Sequence, residues 1–203
     1  MIWLYVHIVL FAIIVLIFYA YMSSMFSKIS FSRGDPFQEL KIAYISIKGD
    51  YRKAWMDGPF YDLLDLFDKR SYGKPARELP SIAIFYDDPS TVPSKDLRCI
   101  IGVVMHDDWK PKKMDDCLKF GTVNHMDDTI QCRLPDRSMM SVGNAVKRVF
   151  PALKKFHEAT EISKNQFTAL AEVYNFEKDK ILFVEGTRQF GGLLSEPPKT
   201  FDY

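Results

Sequence analysis

The chain is 203 residues long, and its 27 Lys plus Arg stand against 26 Asp plus Glu, a formal net charge of +1. That balance excludes function by bulk electrostatics, because wholesale binding to nucleic acid or anionic lipid needs a marked basic excess. With 47% apolar and 14% aromatic residues, the chain also carries too much buriable surface to be disordered throughout. The mean hydropathy of −0.12 hides a sharp division: residues 1 to 27 contain no charged side chain, and every Lys, Arg, Asp and Glu lies beyond them.

From Ile2 to Met22 the sequence is apolar or aromatic except for His7. As a helix rising about 1.5 Å per residue it reaches roughly 30 Å, the thickness of the hydrocarbon core. It reads as an uncleaved single-pass anchor in the lipid bilayer. A signal peptide would open on a basic region and close on small residues in an A-x-A-like arrangement, and neither is present. Trp3 and Tyr5 at one end, and Tyr19 and Tyr21 at the other, sit where amphipathic rings settle at membrane interfaces. His7 falls near one headgroup region, where a neutral imidazole snorkels. Lys28, Arg33 and Lys41 follow the span and no cation precedes it, so the remainder is expected in the cytosol. Three cysteines without framework spacing (Cys99, Cys117, Cys132) and the lack of any Asn-x-Ser/Thr acceptor agree with that side. The expected boundaries are an anchor and flank over 1–24, a juxtamembrane linker over 25–38, one domain over 39–196 and a short tail over 197–203.

Within the domain an order of elements occurs twice. Leu40 to Lys48 is a β-rich run closed by Gly49-Asp50. Phe60, Leu63, Leu64 and Phe67 then share one face of an amphipathic helix, ended by Gly73 and Pro75. Strands follow at Ser81 to Tyr86 and Leu97 to Met105. The second half opens with an extra strand at Leu118 to Val123, then a strand at Asp128 to Leu134. Next comes a helix in which Val142, Ala145, Val146, Val149, Leu153 and Phe156 share a face and Pro151 should introduce a bend. Lys147-Arg148 and Lys154-Lys155 fall on the side of that helix expected to face water. Strands at Thr168 to Phe176 and Lys180 to Thr187 close the pattern. The repeat places Ser81 to Tyr86 about 88 positions before Ala169 to Tyr174. The expected product is an α+β domain of two strand-helix-strand-strand halves, with antiparallel sheets, helices on one face and a groove between the halves.

Glu172 is the ionisable residue that stands out, a carboxylate in the apolar run Leu170-Ala171-Glu172-Val173-Tyr174. Buried unpaired it would be costly and its pKa would rise; in a groove it can pair with a cationic or amine ligand beside Tyr174, Phe176 and Tyr51. The alternative is a solvent-facing strand residue. The repeat spacing puts Ile84 in its place in the first half. His106-Asp107-Asp108 and His125-Met126-Asp127-Asp128 lack metal-ligand spacing and read as solvated loops. No Gly-rich phosphate loop, nucleophile elbow or Cys-x-x-Cys pair occurs, so no cofactor is expected, and catalysis in the groove is the least favoured reading.

Gly49-Asp50-Tyr51, the run Ser81-Ile82-Ala83-Ile84-Phe85-Tyr86-Asp87-Asp88-Pro89, then Val92-Pro93, Leu97-Arg98-Cys99, Ile101-Gly102 and Glu172-Val173-Tyr174 resemble the GyrI-like family, whose tandem halves often bind small molecules between them. With the span in front, and with Pro151-Ala152-Leu153, the chain resembles the membrane-anchored, testis-expressed protein 264 branch of that family. The resemblance implies an endoplasmic reticulum membrane protein with a cytosolic domain, acting as a receptor or adaptor in autophagy of the reticulum, and not as an enzyme; the nuclear envelope is the alternative membrane. It further implies recruitment of valosin-containing protein to protein-DNA crosslinks, and a ligand-contacting glutamate at Glu172. In that branch a long cytosolic tail carries the aromatic-x-x-aliphatic motif for ubiquitin-like autophagosome proteins. The sequence runs to Tyr203, a few residues after Glu196-Pro197-Pro198, and is expected to lack that tail. Phe37-Gln38-Glu39-Leu40 has the same chemistry, an aromatic and an aliphatic on an extended backbone beside acids; the competing reading is entry into the first strand. Tyr61-Asp62-Leu63-Leu64 fits the pattern only on a helix face expected to be buried. Phe190-Gly191-Gly192 has the look of a segregase-binding motif, although a Gly-Gly turn accounts for it as well.

Overall fold

The computed structural model describes residues 2–34, 39–51, 58–72, 78–105, 110–111, 118–123, 129–160, 169–175 and 180–186. The apolar run forms one helix, α1 (Ile2–Met22), with no buried residue and with mean hydropathy long and high enough to cross a membrane. Beyond it, strands β1 (Ser32–Arg33), β2 (Leu40–Lys48), β4 (Ser81–Phe85), β5 (Arg98–Val104), β7 (Lys119–Val123), β8 (Thr129–Pro135), β9 (Ala169–Tyr174) and β10 (Lys180–Gly186) join a single sheet of eight strands. The remaining pair, β3 (Ser71–Tyr72) and β6 (Lys110–Pro111), forms a separate two-stranded ladder. Every pairing among the described residues is antiparallel.

The order β1-β8-β10-β9-β4-β5-β2-β7 shows the duplication. In each half the first strand lies beside the third, and the second strand meets its counterpart at the centre, β4 against β9. The halves thus share one continuous sheet where two were expected. Helix α2 (Pro59–Arg70) buries Leu63, Leu64 and Phe67 against Ala43, Ile45, Ala83, Ile101 and Val103. Helix α3 (Met139–Thr160) packs Ala145 and Val149 on Cys132, Leu134, Ile181 and Phe183, and Leu153 on Ile130 and Leu170. Since β4 residue Ala83 pairs with Glu172, both helices lie on the same side of the sheet, as the pattern predicts. α3 runs unbroken through Pro151, which sits on its exposed side, where the missing N–H leaves no buried acceptor unmet. The other side of the sheet carries a second buried set, including Ile42, Tyr44, Ile82, Ile84, Ile100, Val173 and Val184.

The repeat spacing of 88 needs correction. Ile84 pairs with Ala171 and belongs to the cluster on the far side of the sheet from Glu172. Side chains alternate, so a one-residue slip exchanges faces; equivalent residues of the halves must therefore be an odd number apart, and Ala83 shares the face of Glu172.

Candidate functional site

Glu172 lies at the junction of the halves, flanked in register by Ala83 on β4 and Phe183 on β10. It faces the helices and is only 4% exposed, so the solvent-facing alternative does not hold. Its carboxylate accepts a hydrogen bond of 2.5 Å from the Tyr174 hydroxyl, two residues along the same face. No cation among the described residues pairs with it. Burial pushes its pKa up from 4.5 to about 7, a rise opposed by the Tyr174 hydrogen bond. Burial also carries the Tyr174 phenol well above its ordinary value, with the Glu172 charge adding to the rise. A carboxyl held by a phenol inside the seam can take up or give up a proton, and its charge, when present, is met by the Tyr174 hydroxyl alone among the described residues.

Tyr51 stands apart from this pair. Its ring packs on Phe85, with centroids 4.8 Å apart, but its hydroxyl lies 3.0 Å from the carbonyl oxygens of both Asp87 and Arg98 and accepts the Asp87 N–H at 3.1 Å. Burial raises its pKa. The Asp87 carboxylate in turn takes the Arg98 guanidinium at 2.7 and 2.9 Å and the Arg98 N–H at 2.8 Å. The motif residues 86–89 and 97–99 thus form a staple that ties the end of β4 to the start of β5 and fixes Tyr51.

A second buried carboxylate escapes a sequence reading. Glu185 on β10 is a diagonal neighbour of Glu172, since it pairs with Leu170, and His157 Nε2 of α3 lies 2.5 Å from its Oε2. Burial raises the Glu185 pKa and the imidazole opposes that rise. The alternation Ile181, Phe183, Glu185 placed this residue on the core face, which was the available signal; its partner on another element had none. Arg148 is a correction of a different kind. It is half-buried and donates to the carbonyl oxygens of Ser24, at 2.7 Å, and Ser27, whereas Lys147, Lys154 and Lys155 are exposed as expected.

Leu40 begins β2, pairs with Val123 and is buried in the core, so strand entry describes it and its side chain is not free for a partner's pocket. Leu63 and Leu64 are likewise buried. Phe37, Phe176, Phe190, Gly192, His106 and His125 lie outside the described residues, as does Cys117. Cys99 and Cys132 are free and buried, and burial pushes the Cys99 thiol up to about 12, far from a reactive thiolate.

No family model matches the chain. Testis-expressed protein 264 of Homo sapiens is 27% identical over 114 residues, covering 53% of this chain and 35% of that protein, so the chain spans about a third of that relative's length. Among solved structures, the EcmrR-DNA complex gives a TM-score of 0.51 at 8% identity, over 78% of this chain and 56% of the other. An integron cassette protein of Vibrio cholerae gives 0.47 at 10% identity, over 80% and 97%. The likeness to EcmrR concerns the fold alone, and the α+β arrangement of two antiparallel halves behind an apolar helix is consistent with the GyrI-like fold expected from the sequence.

Proposed function

We propose that the chain is a single-pass protein of the endoplasmic reticulum membrane whose domain faces the cytosol and serves as a receptor or adaptor, not an enzyme, in selective autophagy of the reticulum. Recruitment of valosin-containing protein to protein-DNA crosslinks is a related role, and direct nucleic-acid binding is not part of it. The observation that carries this reading is the joining, in one chain, of an uncharged membrane-length helix to a domain similar over part of its length to testis-expressed protein 264. The test is affinity purification of the full chain from starved cells, wild type against Phe37→Ala and against Phe190→Ala. Leu40 is left intact because its loss would open the core. Capture of ubiquitin-like autophagosome proteins and of valosin-containing protein by the wild type supports the reading; their absence from that catch overturns it.

The buried Glu172–Tyr174 pair favours a second reading, a membrane-tethered sensor that binds a lipophilic amine between the halves. Titration of the full chain in detergent with a quaternary ammonium dye should give saturable binding that Glu172→Gln weakens. Equal binding by both proteins removes the glutamate from the reading.

A further inference from the structure

The domain grips the end of the anchor. α1 closes in a Schellman motif: Ser24 takes a left-handed φ of 53°, its N–H donates to Tyr21 O at 3.1 Å and the Met25 N–H donates to Ala20 O at 3.2 Å. The last carbonyl oxygens of the helix and its turn are met by side chains from the start of α3 and the residues just before it. Arg137 Nη1 reaches Tyr21 O at 3.0 Å, Ser138 Oγ reaches Met22 O at 2.9 Å, Asn144 Nδ2 reaches Ser23 O at 3.4 Å and Arg148 Nη1 reaches Ser24 O at 2.7 Å. Ser138 Oγ also accepts the Ser141 N–H at 3.3 Å, so one hydroxyl caps the end of the anchor and the beginning of α3. The Arg137 guanidinium lies 4.0 Å from the centroid of the Tyr21 ring.

These contacts begin where the apolar run ends. Every residue from Ile2 to Tyr19 is exposed, Ala20 is half-buried, and Ser23 and Ser24 are buried. The domain therefore touches α1 only at the depth where a spanning helix leaves hydrocarbon. On the same turn Met25 and Phe26 point away from the domain, 49% and 84% exposed. Fixed within about one helical turn of the hydrocarbon edge, two large apolar side chains on a braced turn have the acyl-chain boundary as their nearest apolar surroundings.

We infer that residues 23–27, with Arg137 and Arg148, form an interfacial docking surface that seats the domain against the headgroup layer. Met25 and Phe26 enter the bilayer and Arg137 sits at phosphate level. Span and domain then move as one rigid unit, without a loose tether. This rests on the reading of α1 as a membrane span. Lys95, on the connection from β4 to β5, is the aqueous reference: that connection leaves β4 at Phe85, the opposite end of the sheet from Pro135, whose carbonyl accepts from Ser24 Oγ.

The full chain carrying Cys117→Ser, spin-labelled singly at Ile13→Cys, Phe26→Cys or Lys95→Cys and doubly at Ile13→Cys plus Lys95→Cys, is reconstituted in phosphatidylcholine–phosphatidylserine vesicles. The label at position 26 is expected to be several-fold less accessible to an aqueous nickel chelate than the label at 95. The distance distribution between labels at 13 and 95 is expected to be narrow, and to broaden in Arg137→Ala plus Arg148→Ala. An aqueous label at 26 beside a buried label at 13 overturns the docking surface and leaves the anchor standing; an aqueous label at 13 overturns both. Dipolar broadening between labels at 26 on neighbouring molecules assigns the turn to self-association and also overturns the inference.

Discussion

Glu172 carries its own pH signature. Its folded pKa of about 7 lies above the ordinary 4.5, so the fold binds this proton more tightly than the open chain does. The stabilisation is fully present below pH 4.5 and is lost as pH rises through about 7. At about 1.4 kcal/mol per unit, the loss is up to roughly 3 kcal/mol. Glu172→Gln keeps the shape and an acceptor for Tyr174. It should therefore flatten the fall in denaturant midpoint over that range and exceed the wild type in stability above pH 7; an unchanged slope would remove the buried-acid assignment. Tyr174→Phe takes away the hydrogen bond that opposes the rise, so the Glu172 titration followed by carboxyl NMR should move further up. His157→Ala leaves the Glu185 carboxylate buried without its partner and should cost about 1–3 kcal/mol, against a few tenths for exposed Lys155→Ala, read by urea unfolding. At this scale the sequence was half legible. A carboxylate among apolar neighbours marked Glu172, but the repeat spacing, off by one, named Ile84 where Ala83 shares the face. For Glu185 the strand alternation gave the face but not the partner, and the burial of Arg148 could not be read, because the partners lie 28 and 121 residues away and periodicity along one element is blind to both.

The strongly periodic elements were legible almost residue for residue. Leu40–Lys48 is a strand as predicted, and the long helix and both closing strands differ from expectation only at their ends. The two-residue strands β1, β3 and β6 were not, since so short a run carries no alternation to detect. Gly102 shows what pairing demands of a strand: a Cβ there would stand 2.7 Å from Ala43 O and 3.0 Å from Tyr44 Cβ. Neither the backbone oxygen nor a Cβ can swing aside. Gly102→Ala should accordingly cost about 1–3 kcal/mol through overpacking, a loss visible as a lowered Tm, whereas Gly143→Ala, with open space around it on a helix, should be neutral or stabilising.

For the whole molecule, the central β4–β9 ladder makes one sheet of the two halves and puts Glu172 on their seam. The prediction of antiparallel strands with helices on one face followed from the repeat, but its single continuous sheet did not, because edge-to-edge joining of the halves leaves no trace in hydropathy. The same holds for the seat of the domain on the anchor, which depends on Ser138, Asn144 and Arg148 reaching back more than a hundred residues. Everything proposed for function depends on a permanently embedded α1 with the domain on the cytosolic side. The most direct measurement is protease digestion of sealed reticulum vesicles followed by alkaline carbonate extraction. The expected result is a domain digested from outside while a fragment containing Ile2–Met22 stays with the lipid. A domain protected until detergent is added, or a chain released by carbonate, would contradict the account.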